Sequence, residues 1–233
     1  MELARIPDGI HRVLSVSAHP DDSEFYAGGT LAQFAAAGAE VTLVTCTDGA
    51  RGGRDIDDIA GVRDGEQDRA ATAIGISSVV KLGYLDGDLT SSDELRDRLI
   101  ELIRLHRPQI ILGHHPQTFY VRYGNRVQPG HSDHRAAGTA LLNAIYPRAG
   151  SPNFSPGRGG EPWFPNEVWL FDCEVPDYRV EISAGLEAKL AALTEHESQQ
   201  GVAGGLTRAA RRIGTLFGTD EQPAEGFVRL VLR

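Results

Sequence analysis

Short apolar runs alternate with amphipathic stretches along most of this chain. Arg12–Ala18 (RVLSVSA) is bounded by polar residues and reads as a buried strand. Pro20 disfavours helix at His19, so the chain leaves the strand there. Phe25–Ala37 carries apolar residues at helical spacing, and Gly38 supplies a stop. Glu40–Thr47 (EVTLVTCT) is a second strand, which completes a βαβ unit. Asp48–Gly61 is glycine-rich and charged, hence a loop. Helical spacing resumes over Arg63–Ile74, and Val79–Leu82 is a short strand. A helix with a capping Ser92 and acidic first turn runs to about His106. Gln109–Gly113 (QIILG) is another buried strand. His114–Gly130 then forms a long polar and aromatic loop, a kind of segment that is often functional. A helix over Asp133–Ile145 follows, then an irregular Pro-, Gly- and Ser-rich excursion over Pro147–Pro165. Strands are expected at Glu167–Cys173, Arg179–Ile182 and Phe227–Leu232, with a helix at Ala184–Gln199. This order predicts an α/β fold, a mostly parallel sheet covered on both faces. One domain over residues 1–233 is expected, with the excursion near residue 150 as the best place for a boundary otherwise.

Composition narrows the class. The 233 residues are 41% hydrophobic and 24% charged, as in ordinary soluble globular proteins. The net charge of -9, with no basic patch, argues against a nucleic-acid partner. No run approaches the roughly 20 apolar residues that span a bilayer. Residues 1–9 lack a basic start followed by an apolar stretch, so no secretory leader is expected and the cytoplasm is the default location. Cys46 and Cys173 each sit in an apolar run and read as buried core residues rather than a disulfide framework.

Chemistry-bearing residues gather in three clusters: His19, Asp21, Asp22 and Glu24 after the first strand; His114 and His115 after Gln109–Gly113; His131, Asp133 and His134 before a helix. In open α/β sheets ligands bind outside the carboxyl ends of the strands, where the first two clusters lie. Two imidazoles and a carboxylate suit a divalent ion such as zinc, and a further carboxylate can take a proton from water. Adjacent Asp21 and Asp22 offer one carboxylate for each role. The plainer alternatives are that Asp22 or Ser23 caps the following helix and that Glu24 only favours its first turn. His114 and His115 equally suit a solvated strand end. A dinucleotide site is disfavoured, because no G-x-G-x-x-G follows the first strand and two aspartates would repel a pyrophosphate. A serine hydrolase lacks its G-x-S-x-G elbow. A non-catalytic metal- or sugar-binding module is the remaining rival of another class.

Ala18-His19-Pro20-Asp21-Asp22-Ser23-Glu24 and His131-Ser132-Asp133-His134 resemble the A-H-P-D-D-x-E and H-P-D-H signatures of the LmbE-like, PIG-L-type metal-dependent N-deacetylases. That family includes deacetylases of mycothiol and bacillithiol biosynthesis and the enzyme acting on N-acetylglucosaminyl-phosphatidylinositol. Weaker matches follow in order: Gly28–Leu31, Thr45–Gly49, Val62-Arg63 with Glu66, Leu85–Gly87 with Leu89, Lys189 with His196, Ser198 and Gln199, and Glu225 with Phe227. The resemblance implies a Rossmann-like three-layer sandwich and removal of an acyl group, acetyl above all, from an N-acyl amino-sugar-like small molecule. A thiol conjugate or a larger acyl group is the alternative within the same superfamily. It implies Zn2+, with Fe2+ able to use the same ligands, on His19, Asp22 and His134. Asp21 becomes the general base. His131 stabilises the oxyanion or protonates the leaving amine, and Asp133 orients a histidine, with Glu24 beside the ligand cluster. Arg63 and Asp86 contact substrate, and a homo-oligomer fits the family. Two departures stand out. Ser132 replaces the usual proline, and Pro129 stands where some members carry a tyrosine, with Tyr120 and Tyr123 of the same loop as candidates to replace it.

Overall fold

A computed structural model describes residues 2–53, 56–76, 78–123, 126–201 and 205–233. Its centre is a seven-stranded sheet in the order β3-β2-β1-β4-β7-β9-β8. These strands are β1 (Arg12–Ser17), β2 (Glu40–Thr47), β3 (Ser78–Tyr84), β4 (Ile110–His114), β7 (Glu167–Phe171), β8 (Tyr178–Glu181) and β9 (Ala224–Val231). The first five in that order are parallel, and β9 pairs antiparallel with both β7 and β8. Helices α1 (Asp22–Ala36), α2 (Ile59–Ala73), α3 (Asp93–His106), α4 (Ser132–Asn143), α5 (Leu186–Glu195) and α6 (Leu206–Phe217) complete the α/β architecture. No described helix is long and apolar enough to cross a membrane.

The three layers follow from strand alternation. On β1, Leu14 and Val16 join one core with α3 and α4, through residues such as Leu99, Ile103, Leu141 and Ile145. Val13 points to the other face and joins a core with α1, α2 and α5, through Leu31, Phe34, Ala70 and Ala192. Both expected cysteines are free and buried within these layers.

The expected elements recur with shifted ends, and two were not anticipated. The loop expected over His114–Gly130 contains a small antiparallel hairpin, β5 (Tyr120–Tyr123) with β6 (Arg126–Pro129). Helix α6 lies in a segment that the sequence reading left unassigned. The Pro147–Pro165 excursion is irregular, as expected, but it does not border the site. It packs at the opposite end of the sheet, where the Trp163 indole donates to the Pro108 carbonyl just before β4 begins. Arg104 at the end of α3 holds it there. This buried guanidinium, with five N–H donors, lies within hydrogen-bonding distance of the carbonyl oxygens of Arg148, Ala149, Ser151, Phe154, Ser155 and Arg158. Arg104→Met would therefore lose about 3 kcal/mol or more, since charged hydrogen bonds contribute ~1.5–3 kcal/mol each and the carbonyls are left unpaired. Urea unfolding and proteolysis confined to residues 148–158 would show it.

A buried ion pair between α5 and β9 also ties down α1. Lys189 donates to Glu225 at 2.5 Å, and the same carboxylate accepts the Gly29 and Thr30 amides at 2.9 Å each. These are the residues behind the Lys189 and Glu225 family matches, and the structure shows them joining three elements. Lys189→Met strands a buried carboxylate and should cost ~3–5 kcal/mol, with most of that recovered in a Lys189→Met/Glu225→Leu double variant. Denaturant midpoints of the three proteins test this.

Candidate metal centre

The strand order reverses between β1 and β4, and the carboxyl ends of those two strands form the crevice expected of such sheets. β1 delivers His19, and α1 begins at Asp22. Between them Asp21 takes a left-handed backbone with φ 102, an uncommon state for a residue with a side chain. Neither capping alternative is realised. Asp21 is the N-cap but makes no side-chain cap bond, Asp22 accepts the His19 amide at 2.7 Å, and the Ser23 hydroxyl meets Ser15. β4 delivers His114, and α4 starts beside it. Gly138 makes this approach feasible, because a side chain there would run into the His114 carbonyl. The N-cap of α4 is His131, whose Nδ1 accepts the Asp133 amide at 3.2 Å.

Asp22 sits at the centre of the cluster. One of its oxygens lies 3.3 Å from His19 Nδ1 and the other 3.3 Å from His134 Nε2. The remaining ring nitrogens are held by carboxylates: His19 Nε2 lies 3.2 Å from Asp86 and 3.3 Å from Asp133, and His134 Nδ1 lies 2.8 Å from Asp172. Ligand atoms around a tetrahedral ion with bonds of ~2.0–2.1 Å stand roughly 3.3 Å apart, close to each of these two contacts, which run to different oxygens of Asp22. Carboxylates behind both imidazoles are the usual support for metal-ligating histidines. Among the described residues three overlapping groups bring ligand atoms within 4.8 Å of one another: His19 with His131 and His134, Asp22 with His114 and His134, and His19 with Asp86 and Asp133.

Electrostatics point the same way. Burial works against a charge on His19, yet its hydrogen bonds to the carboxylates of Asp133, Asp22 and Asp86 outweigh it and raise the imidazole to about 12. Burial likewise opposes charge on His134, and Asp22 and Asp172 raise it to about 9. Asp22 is buried as well, and His134 and His114 hold it well below the usual carboxylate range. Four carboxylates around two imidazoles demand positive charge, which a divalent cation satisfies better than protons.

The other expected site residues fall into two sets. Asp21 lies at the crevice, where burial pushes its carboxyl up to about 7 against the pull of Arg63. His131 is half-exposed at the mouth, its ring 4.6 Å from that of His19, and burial lowers its pKa along with the charges of His19 and His134. Asp133 is fully buried and accepts the Gly87 amide at 2.7 Å. Arg63, Asp86 and Glu24 are buried in the framework. Arg63 donates to the Gly49 and Pro20 carbonyls and lies 3.1 Å from Asp21. The left-handed Gly49 leaves the space that the guanidinium occupies. Asp86 meets His19 and accepts the Arg51 amide. Glu24 accepts from Gln67 at 2.5 Å, and burial raises its carboxyl to about 7. Tyr120 lies beneath the Arg122 guanidinium on the hairpin, while the Tyr123 side chain lies outside the described residues.

Sequence reasoning missed Asp172, which follows β7 and holds His134. Its one local signal is an aspartate at a strand end, where φ 57 suits its short side chain. It also left His114 undecided. That ring is fully buried, accepts the Ala18 amide at 3.2 Å and lies 3.2 Å from Asp22.

Known proteins share this arrangement of elements. The PIG-L family, described as GlcNAc-PI de-N-acetylase, matches residues 14–145. Diacetylchitobiose deacetylase of Thermococcus kodakarensis is 32% identical over 197 residues, covering 82% of this chain and 70% of that protein. The 1D-myo-inositol 2-acetamido-2-deoxy-alpha-D-glucopyranoside deacetylase of Thermobispora bispora is 35% identical over 181 residues. That match covers 65% of this chain and spans little more than half, 56%, of the relative. The solved N,N'-diacetylchitobiose deacetylase of Pyrococcus horikoshii superposes with a TM-score of 0.81 at 26% identity, over 96% of this chain and 85% of that one. With a family match over more than half its length, and the two signatures folded into one crevice, the chain belongs to the PIG-L family.

Proposed function

We propose that this chain is a metal-dependent amide hydrolase that removes the acetyl group from an N-acetylglucosamine-type substrate. The observation that carries the reading is Asp22 set between two carboxylate-backed histidines, with a second aspartate, Asp21, turned out of that set by its left-handed backbone. His19, Asp22 and His134 would hold the ion, zinc or iron(II) by their donor chemistry. When bound, it acts as a Lewis acid toward the amide carbonyl and acidifies water in the site.

The chain's own groups supply the rest. Asp21 takes a proton from the attacking water, and burial places its carboxyl near the pH where a base works best. One of its oxygens faces Arg63, which keeps the carboxylate in place and leaves the other to take the proton. His131 Nδ1 accepts a backbone amide, so its proton sits on Nε2. That N–H is a donor for the oxygen that gains charge as the carbonyl carbon becomes tetrahedral. The nitrogen leaves as an amine once it takes a proton, and acetate is the other product. Asp133, Asp86 and Asp172 keep the imidazoles in one tautomer and one orientation.

Metal analysis of purified protein, paired with amine release from N-acetylated chito-oligosaccharides and glucosaminyl-inositols, tests this. About one ion per chain is expected, with release lost on chelation and restored by metal. Tightly bound metal without amine release from any N-acetyl sugar would overturn the proposed substrate. Protein never exposed to chelator that contains no metal would overturn the centre.

A further inference from the structure

Asp21 has an unusual backbone, and nothing on its own helix holds it there. A residue at a helix N-cap normally uses its side chain to accept a backbone N–H one turn on, but Asp21 does not. Its φ of 102 is one that side-chain-bearing residues rarely adopt unless the surroundings impose it. The constraint comes from α2. Residues four apart on a helix share a face, and Arg63 and Gln67 both reach the Pro20-Asp21 turn from that face. Arg63 donates to the Pro20 carbonyl at 2.5 Å and to an Asp21 oxygen at 3.1 Å. Gln67 accepts the Asp21 amide on its Oε1 at 3.2 Å. Its orientation is fixed, because its Nε2 donates to Glu24 at 2.5 Å and the side chain is buried. Glu24 belongs to the first turn of α1, so one amide side chain bridges the turn and the helix that follows it.

We infer that Gln67 is a positioning residue, one that holds the Asp21 backbone in its left-handed state so that the carboxylate faces the crevice rather than the ion's ligand shell. The inference rests on the reading of Asp21 as the base, but the tether is a physical claim of its own. The carbonyl of Gln67 takes the amide of the N-cap residue itself, the donor that a side chain at the third helical position takes in a capping box, while the Asp21 carboxylate makes no cap bond to its own helix. Neither signature contains Gln67. Its neighbour Glu66 has a different task, accepting the amide and hydroxyl of Ser198.

Two readouts on the full-length, metal-loaded protein test the tether. Amide hydrogen exchange by NMR should show the Asp21 N–H protected in the native chain and exposed in Gln67→Leu, with the Val16 and Leu31 amides unchanged. Gln67→Glu keeps an acceptor oxygen in place, sharing a proton with Glu24, and should retain most of that protection. If the leucine variant does not fold, Gln67→Asn, one methylene too short to reach, serves in its place. In kinetics the leucine variant should lose on the order of 10²-fold in kcat, as expected for a misplaced catalytic group. Its KM and metal content should stay within about twofold, and Gln67→Glu should recover most of the rate. Unchanged Asp21 exchange in a folded Gln67→Leu or Gln67→Asn protein overturns the tether. Exposure of the amide with kcat intact overturns its importance for Asp21. Should the native protein prove inactive on every amide tried, the exchange result still decides the tether, so its failure and that of the hydrolase reading are told apart.

Discussion

Asp21→Asn should keep the metal and remove nearly all amide hydrolysis, a fall of about 10²–10⁴-fold in kcat. Asparagine matches aspartate in size and can still accept from Arg63, so the loop held by Arg63 and Gln67 keeps its shape. What disappears is the ability to take a proton from water. The loss should fall on kcat, because Asp21 is asked to act on the reaction rather than on ground-state binding. The wild-type protein should also lose activity as pH falls. Burial raises the Asp21 carboxyl above the usual carboxylate range, so as pH falls it comes to carry the proton it is meant to remove. The residual rate of Asp21→Asn should lack this acid limb. A variant that lost metal in proportion to activity would show instead that Asp21 is a ligand and that the roles of the two adjacent aspartates are reversed.

How far the site could be read from sequence depends on where each group's partners lie. His19, Asp21 and Asp22 were legible because their work is local: strand exit, turn and helix start fall within a few residues, and Pro20 marks the break. The parallel sheet was legible for a similar reason, since β1, β2 and β4 are short apolar runs buried on both faces. Asp172 was not. It meets His134 only because β7 pairs with β4, and that register brings the end of β7 beside the start of α4. Arg63 and Asp86 entered through the family resemblance as substrate contacts, and the structure places both beside the Asp21 and His19 cluster. Their burial against Gly49, Pro20, Asp21 and His19 is a tertiary fact that spacing does not encode. The β5–β6 hairpin escaped notice because its strands are four residues each and lack clean alternation. Helix α6 is a plainer omission, since Leu206, Ala209, Ala210, Ile213 and Phe217 follow helical spacing.

Asp22→Asn, by contrast, should empty the centre, leaving metal far below one ion per chain and no measurable activity. Among the described residues Asp22 is the only carboxylate that contacts both His19 and His134, and its ionised form is favoured by the imidazoles around it. The amide keeps one oxygen but puts an NH₂ group where the second oxygen now faces a ring nitrogen, and it removes a full negative charge from beside the ion. Asp172→Asn is the informative companion, because Asp172 meets the outer nitrogen of His134 at 2.8 Å, with His114 Nδ1 3.7 Å away, and stands outside the proposed ligand set. Weakening such a support typically costs 10–100-fold in metal affinity rather than abolishing binding. Excess metal should therefore restore much of the activity of Asp172→Asn and little of that of Asp22→Asn, which metal titration followed by amine release would show. Equal rescue of the two would mean that Asp22 is not a ligand, and the centre would then have to be rebuilt around His114, which lies 3.2 Å from Asp22 and within reach of His134. The comparison thus separates a carboxylate that holds the ion from one that holds a histidine, a distinction that the adjacent positions of these groups in space do not make by themselves.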